Sequence, residues 1–434
     1  MTTTGARLSQ PIPPLAPARG AVDETYWPDI ARTPRAPLAG AVARVLVRRA
    51  LRRVPVRVTL SGGAELGAGG SGSPRMIVHR PDQLFARLGA DLRIGFGESY
   101  MAGDWEPAPG TDLADLLTPF AARLPTLIPQ PLQRLRRLIE ERLPAHEANT
   151  VDGARSIIER HYDLSNGLFA SFLDPTMTYS AAWFDERLGV RDGDLESAQL
   201  RKIDGILDYA RVSTGTRVLE IGTGWGALAI RAAQRGARVT SITISEEQRT
   251  LGLRRLADAG LCEQVEVLLC DYREIGGKYD AVVSVEMIEA VGEEFWPDYF
   301  AAINRALAPG GRVALQAITM DHDRMLATRR SYGWIHKYVF PGGMIPSLRA
   351  IDESLADHTR LEVVEQRELG WHYARTLHLW RMRFLETWGE VSRLGFDDTF
   401  RRMWEFYLAY CEAGFRTGYL KVQQLAIAES QLEA

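Results

Sequence analysis

Val218-Leu219-Glu220-Ile221-Gly222-Thr223-Gly224-Trp225-Gly226 runs an apolar stretch straight into three glycines spaced G-x-G-x-G. That order predicts a buried strand, a tight turn and the start of a helix, with glycines where the backbone must turn sharply and approach a ligand. The text around it is regular. Strands are predicted at Arg217–Ile221, Arg238–Thr243, Val265–Leu269, Tyr279–Val285 and Arg312–Ala317, with helices at Gly226–Arg235, Ser245–Ala259 and Trp296–Ala306 between them. Short β-branched runs alternating with amphipathic runs describe an α/β chain with an open, doubly wound parallel sheet. Its ligand belongs at the C-terminal edge of the strands.

The turn also limits the ligand. Glu220 stands two residues before Gly222, and a carboxylate there would repel a diphosphate. A dehydrogenase would want a ribose-binding acid about 20 residues past the first glycine, where this chain has Thr243. Glu220 suits a cationic ligand instead, and S-adenosylmethionine (SAM), with its ammonium and sulfonium groups, fits. Asp271-Tyr272 follows the third strand, where an adenine amine could find an acceptor; Asp271 reads equally well as a helix N-cap. The expected fold is a class I SAM-dependent methyltransferase, Rossmann-like, with a smaller N-terminal domain.

At 434 residues the chain is long enough for two or three domains. Apolar residues at 46%, charged residues at 25% and a net charge of −3 describe a globular protein and argue against nucleic acid as partner. Cys262, Cys270 and Cys411 lack metal-ligand spacing, so reduced, buried thiols are expected, with no disulfide and no metal. No apolar run approaches the ~18 residues of a membrane span, and the N-terminus is Pro-rich, without a basic n-region leading into an apolar h-region, so neither a membrane-spanning nor a secreted protein is expected. A cytoplasmic protein is expected.

Seven prolines in the first 40 residues predict an extended or disordered tail. An N-terminal domain is expected over 41–145. It opens with Ala41–Leu60, a basic amphipathic segment with six arginines, which suits either an anionic membrane surface or a solvated helix face. After a glycine-rich loop come a strand at Arg75–His79 and helices at Pro81–Leu88, Leu113–Leu124 and Gln130–Leu143. The last of these carries Arg134, Arg136, Arg137 and Arg142. Pro144–Thr150 reads as a linker into a catalytic domain spanning 146–434.

Several further stretches carry a resemblance: His161-Tyr162-Asp163-Leu164-Ser165-Asn166, Leu173-Asp174-Pro175 with Thr178-Tyr179-Ser180, Val218–Gly226, Thr243-Ile244-Ser245-Glu246-Glu247-Gln248, Met287-Ile288-Glu289, Lys337–Gly343 and Phe406–Phe415. From about Arg160 onward the chain resembles the cyclopropane fatty acid synthases, which act on cis-unsaturated acyl chains of membrane phospholipids. Gly97–Trp105 is similar to the N-terminal region of the longer bacterial members. The resemblance implies that Tyr179, Ser180, Gly222, Gly224, Gly226, Thr243, Ser245, Gln248, Asp271 and Tyr272 line the SAM pocket together with Glu220. It also implies a bicarbonate ion as catalytic base. Glu289, Ile318 and Tyr373 match the positions that hold it, while Ala181 replaces a cysteine and Gln316 a histidine. A backbone N–H is indifferent to its side chain and a glutamine amide still donates, so binding could survive. Leu315–Ile318 with Glu286–Gly292 resembles the actinobacterial branch that makes 10-methylene fatty acids, precursors of tuberculostearate.

The reaction so implied attaches a SAM-derived carbon to an alkene, a poor nucleophile that must be aligned in a water-free site. Trp183, Tyr332, Trp334, Tyr338, Phe340, Trp371 and Tyr373 are candidates for an aromatic wall around the resulting cation, Tyr373 foremost. Proton loss then closes a cyclopropane ring, the product expected here; the alternative, after a hydride shift, is an exocyclic methylene. Glu289 is the candidate to act as base or orient it, with Tyr373 and Gln316 as partners. His161 reads as a packing residue over the cofactor, and Met320–Pro346 as a lid-like insertion for an acyl tail and its head group. Expected partners are an unsaturated phospholipid, the inner face of the cell membrane and a second copy of the chain. A mycolate-type or small-molecule methyltransferase and a noncatalytic lipid-binding scaffold are the other readings.

Overall fold

The computed structural model describes residues 22–123, 165–185 and 194–430. His161, the basic segment Gln130–Leu143 and the linker Pro144–Thr150 lie outside them. Two compact units emerge: residues 1–129 with 397–410, and 130–396 with 411–434. The sequence reading placed 397–410 in the catalytic domain; its contacts put it in the first unit, where Tyr100 donates to Glu405 at 3.0 Å.

In the first unit, strands β1 (Arg57–Leu60), β2 (Glu65–Leu66), β3 (Arg75–Val78) and β4 (Trp105–Pro107) pair in the order β2-β1-β3-β4. Helices α1 (Pro28–Ala31), α2 (Pro37–Leu51), α3 (Pro81–Ala90), α4 (Leu92–Met101) and α5 (Leu113–Ala121) complete it. Two expectations are corrected. Part of the proline-rich tail is helical, because Pro28 and Pro37 each open a helix, where a missing N–H and a fixed φ do no harm. Buried Arg87 ties α1 down through the carbonyls of Asp29 and Ile30, at 2.9 and 2.6 Å. The basic segment is helical only to Leu51, and Arg57–Leu60 is a strand with alternating burial.

The second unit holds a seven-stranded sheet in the order β10-β11-β9-β8-β5-β6-β7. Its strands are β5 (Arg217–Ile221), β6 (Arg238–Thr243), β7 (Val265–Leu269), β8 (Tyr279–Val285), β9 (Leu307–Thr319), β10 (Leu361–Glu368) and β11 (Lys421–Glu429). From β7 to β9 neighbours are parallel; β11 is antiparallel to both β9 and β10. Packed around the sheet are α6 (Asn166–Phe172), α7 (Leu195–Tyr209), α8 (Ala227–Gln234), α9 (Glu246–Asp258) and α10 (Trp296–Ala306). The insertion after β9 forms α11 (His322–Thr328) and α12 (Trp334–Tyr338), and Met320 N–H donates to the Pro346 carbonyl at 3.0 Å where it closes. Then come α13 (Leu348–His358), α14 (Gly370–Glu386) and α15 (Trp388–Arg393), while of α16 (Asp398–Arg416) only the end from Cys411 belongs to this unit.

Chain order runs β5, β6, β7 one way across the sheet and returns to β8 on the other side of β5. The reversal opens a crevice at the C-terminal ends of β5 and β8, which is where open α/β sheets bind ligands. The Gly222 turn leaves β5 there, and Glu286 leaves β8.

Candidate active site

The turn after β5 has Gly222, Gly224 and Gly226 at φ of +98°, +52° and +87°, values that L side chains rarely adopt. A Cβ on Gly224 would meet nothing within 4 Å, so there is open space beside the turn. Below it, Glu220 is buried and accepts from Ser241, whose hydroxyl also lies 2.7 Å from that of Thr223. Burial pushes the Glu220 carboxyl up to about 8, against the pull of Ser241 and of Lys202. A cationic ligand would favour its ionised form. At the end of β6 the Thr243 hydroxyl donates to Gln248 Oε1 at 2.9 Å. A glycine cradle, a buried carboxyl and a hydroxyl–amide pair at this edge fit SAM: Gly222–Gly226 and Glu220 would hold its amino-acid end, Thr243 and Gln248 its ribose. Bound there, SAM supplies an electrophilic methyl group.

Other residues assigned to this pocket have structural duties. Ser245 caps α9, accepting from Gln248 N–H at 3.2 Å. Asp271 accepts from the Arg273 guanidinium at 2.8 and 2.9 Å and from its N–H at 2.9 Å, so both carboxylate oxygens already have donors. Tyr272 sits in the core against Tyr299, with ring centroids 5.4 Å apart. Ser180 accepts from Lys202 at its hydroxyl, 2.7 Å, and from Gln199 at its carbonyl, 2.9 Å. Tyr179 stacks on Trp380 at 5.2 Å.

Across the crevice, Ala181, Glu289, the β9 pair Gln316 and Ile318, and Tyr373 come together from four places in the sequence. The residue that gathers three of them is Glu286, which sequence reasoning left out of the site. Its carboxylate accepts from Ala181 N–H at 2.9 Å, from Gln316 Nε2 at 2.8 Å and from the Tyr373 hydroxyl. The Glu286 N–H donates to the Gln316 carbonyl at 2.7 Å, extending the β8–β9 ladder by one rung. Its φ is +51°, a conformation that costs a side-chain-bearing residue about 1–3 kcal/mol and recurs at functional sites. Burial raises its pKa, and the three donors with Lys202 oppose that shift.

Glu289, on the short 3-10 turn Ile288–Ala290, accepts from Ile318 N–H. Burial first and the Glu286 charge second push it up to about 8. Its carbonyl accepts from Met344 N–H at 2.8 Å, which fastens the inserted segment to this turn. Behind Gln316, on the antiparallel neighbour β11, Gln424 donates to Gln316 Oε1 at 3.0 Å and to the Lys202 carbonyl at 3.1 Å. This fixes which way the Gln316 amide points.

The donors that the resemblance assigned to bicarbonate thus already serve carboxylates of the chain: Ala181, Gln316 and Tyr373 serve Glu286, and Ile318 serves Glu289. Bicarbonate does not fit this arrangement. The aromatic wall also differs from expectation. Trp371 and Phe340 are exposed, and Trp183 lies against the Arg367 guanidinium, 4.1 Å from ring centre to carbon. Tyr373 instead packs on Phe415 at 4.6 Å and on Trp380, with Tyr179 and Phe169 next in line. Among the thiols, Cys262 is exposed, not buried.

Residues 150–425 match the family model described as mycolic acid cyclopropane synthetase. The chain belongs to that family. These are SAM-dependent enzymes that transfer a methyl or methylene group to fatty acyl chains. The tuberculostearic acid methyltransferase UfaA1 of Mycobacterium tuberculosis is 50% identical over 410 residues, 93% of this chain and 95% of that protein. The cyclopropane-fatty-acyl-phospholipid synthase of Escherichia coli K12 is 34% identical over 84% of this chain and 90% of its own. In structure, the chain is similar to the mycolic acid cyclopropane synthase CmaA1 complexed with SAH and CTAB, at TM-score 0.57 and 30% identity, over 63% of this chain and 97% of that one. The family thus bears out the class I methyltransferase fold.

Proposed function

We propose that the chain transfers the SAM methyl group to the cis double bond of an unsaturated phospholipid acyl chain and releases an exocyclic methylene product without closing a ring. The observation that carries this reading is the cluster of half-buried Glu286 with buried Gln316 and Tyr373 beside the glycine turn, at the crevice where the cofactor belongs. It offers a proton acceptor close to aromatic rings. Tyr373 and Tyr179, backed by the fully buried Trp380, are the rings placed to stabilise a cation without adding to it. The methylene outcome is favoured by 50% identity to a protein named for tuberculostearic acid. Ring closure is the second reading, supported by the E. coli relative.

The phospholipid substrate calls for a way onto the bilayer, and α2 supplies one. Leu38, Val42, Val45 and Leu46 are exposed on it, and Arg48 and Arg49 are exposed in its last turn. Apolar side chains flanked by arginines suit an anionic lipid surface. Among the described residues no helix is long and apolar enough to cross a membrane.

The test is proton NMR of acyl chains recovered after reaction with SAM and vesicles of a cis-monounsaturated phospholipid. Vinylidene protons are expected. Upfield ring protons would establish ring closure instead, and an unchanged alkene would refute the acyl substrate.

A further inference from the structure

We infer that Glu286 is the resident base of this site: its own carboxylate takes the place of a bound bicarbonate and accepts the proton that the methylated acyl cation loses. This deepens the function proposed above and rests on it.

Three features carry the inference. First, the donors converge from separate elements: Ala181 from the segment before α7, Gln316 from β9 and Tyr373 from α14. A trigonal oxyanion held by three such donors is what a bicarbonate pocket provides, and here the oxyanion is covalently part of the chain. Second, Glu286 holds the left-handed backbone conformation with a full side chain. A glycine would adopt it without strain, and strain kept at the mouth of a crevice points to a carboxylate needed where it stands. Third, the donors are themselves held. Gln424 sets the Gln316 amide so that its N–H2 faces Glu286, and Thr376 accepts from Ala182 N–H at 3.1 Å beside Ala181.

The step balances without a co-reactant. The alkene π pair forms the new bond to the methyl carbon, while the carbon–sulfur pair stays on sulfur and neutralises it. A hydride shift moves the cation to the methyl-bearing carbon. Glu286 removes a proton from the methyl group, and the freed C–H pair becomes the exocyclic double bond. Glu286 ends as the neutral acid and returns its proton to solvent after product leaves. Glu289, three residues on, helps here by holding Ile318 N–H and leaving Glu286 with its own donors.

The test uses the full chain loaded with S-adenosylhomocysteine and titrated with 13C-bicarbonate, read by 13C line broadening. The wild type is expected to leave the line sharp. Glu286→Gly, which relieves the strain and empties the donors, is expected to broaden it. Broadening by the wild type, reversed by unlabelled bicarbonate, would overturn the inference. Label transfer from SAM to vesicles in bicarbonate-depleted buffer is the second readout. The wild type should keep its rate, Glu286→Gln should lose at least 100-fold in kcat with SAM affinity unchanged, and added bicarbonate should restore part of the Glu286→Gly rate. A wild type that stops on bicarbonate depletion, or a Glu286→Gln that keeps its rate, would sink the assignment. Should the wild type label no lipid in either buffer, the acyl substrate is wrong, and the 13C titration still decides what occupies the donors.

Discussion

Gln424→Leu separates the two jobs of the amide pair behind the base. Both Gln316 and Gln424 are fully buried, and Gln424 Nε2 is 3.0 Å from Gln316 Oε1. Leucine of similar volume removes that donor and leaves Gln316 Oε1 in the core with none. A buried acceptor stripped of its partner costs about 1–3 kcal/mol. The Lys202 carbonyl also loses a donor, but it lies within α7 and keeps its helical hydrogen bond, so a total near 2 kcal/mol is expected. For a unit of this size that lowers the thermal midpoint by roughly 3 °C. The released amide can flip, and a hydrogen bond to a charged group is worth about 1.5–3 kcal/mol, so kcat should fall about 10- to 100-fold. Gln316→Leu/Gln424→Leu removes both partners and should recover most of the stability but none of the rate, giving a coupling term in the double-mutant cycle. Unfolding and vesicle-based turnover measured on the four proteins decide the matter. Wild-type midpoint and rate in Gln424→Leu, or additive effects in the double variant, would refute the reasoning.

Burial pushes Glu220 and Glu289 from the ordinary 4.5 up to about 8, so the folded chain holds protons that the unfolded chain has lost between those values. Stability of the unliganded protein should therefore fall as pH rises from about 5 to 8, and the slope should flatten in Glu289→Gln; urea midpoints across that range measure it. At pH 7, SAM binding should release close to one proton as its cation ionises Glu220. Calorimetric enthalpies should then differ between phosphate and Tris, and the difference should vanish in Glu220→Gln; equal enthalpies in wild type would place Glu220 away from the ligand. Trp380→Ala removes a fully buried ring packed on Tyr179, Tyr373 and Phe172 and should cost about 3–5 kcal/mol in chemical unfolding. Serine at Val42, Val45 and Leu46 together should weaken sedimentation with anionic vesicles several-fold and leave SAM affinity unchanged.

The parallel half of the sheet was legible because each strand is a short apolar run between turn residues, and β5, β6, β7 and β8 fall where the sequence places them. β9 is longer at both ends than its apolar stretch, because Leu307–Gly311 continues the ladder as irregular strand through two glycines. β10 and β11 escaped notice: β10 carries three glutamates, and β11 buries Gln423 and Gln424 where an apolar residue would be expected. Those glutamines are inside because they bond to other buried groups, which only the folded sheet shows. Glu286 was hidden for the same reason. In the sequence it is one more acid beside Glu289, and two of its three donors stand 105 residues before it and 30 after it.

The position of β11 orders events on the ribosome. It lies between β9 and β10, although both are made before it. A nascent chain that has emerged only through Glu368 has a β10 with no neighbour to join and a β9 with one bare edge. The Gln316 amide likewise waits without its clamp until Gln424 arrives. The hydrogen-bond cluster around Glu286 is therefore completed only after the residues of the glycine turn and of β5–β8 have been made. During that interval β9 presents an unpaired edge, a template for pairing with another chain.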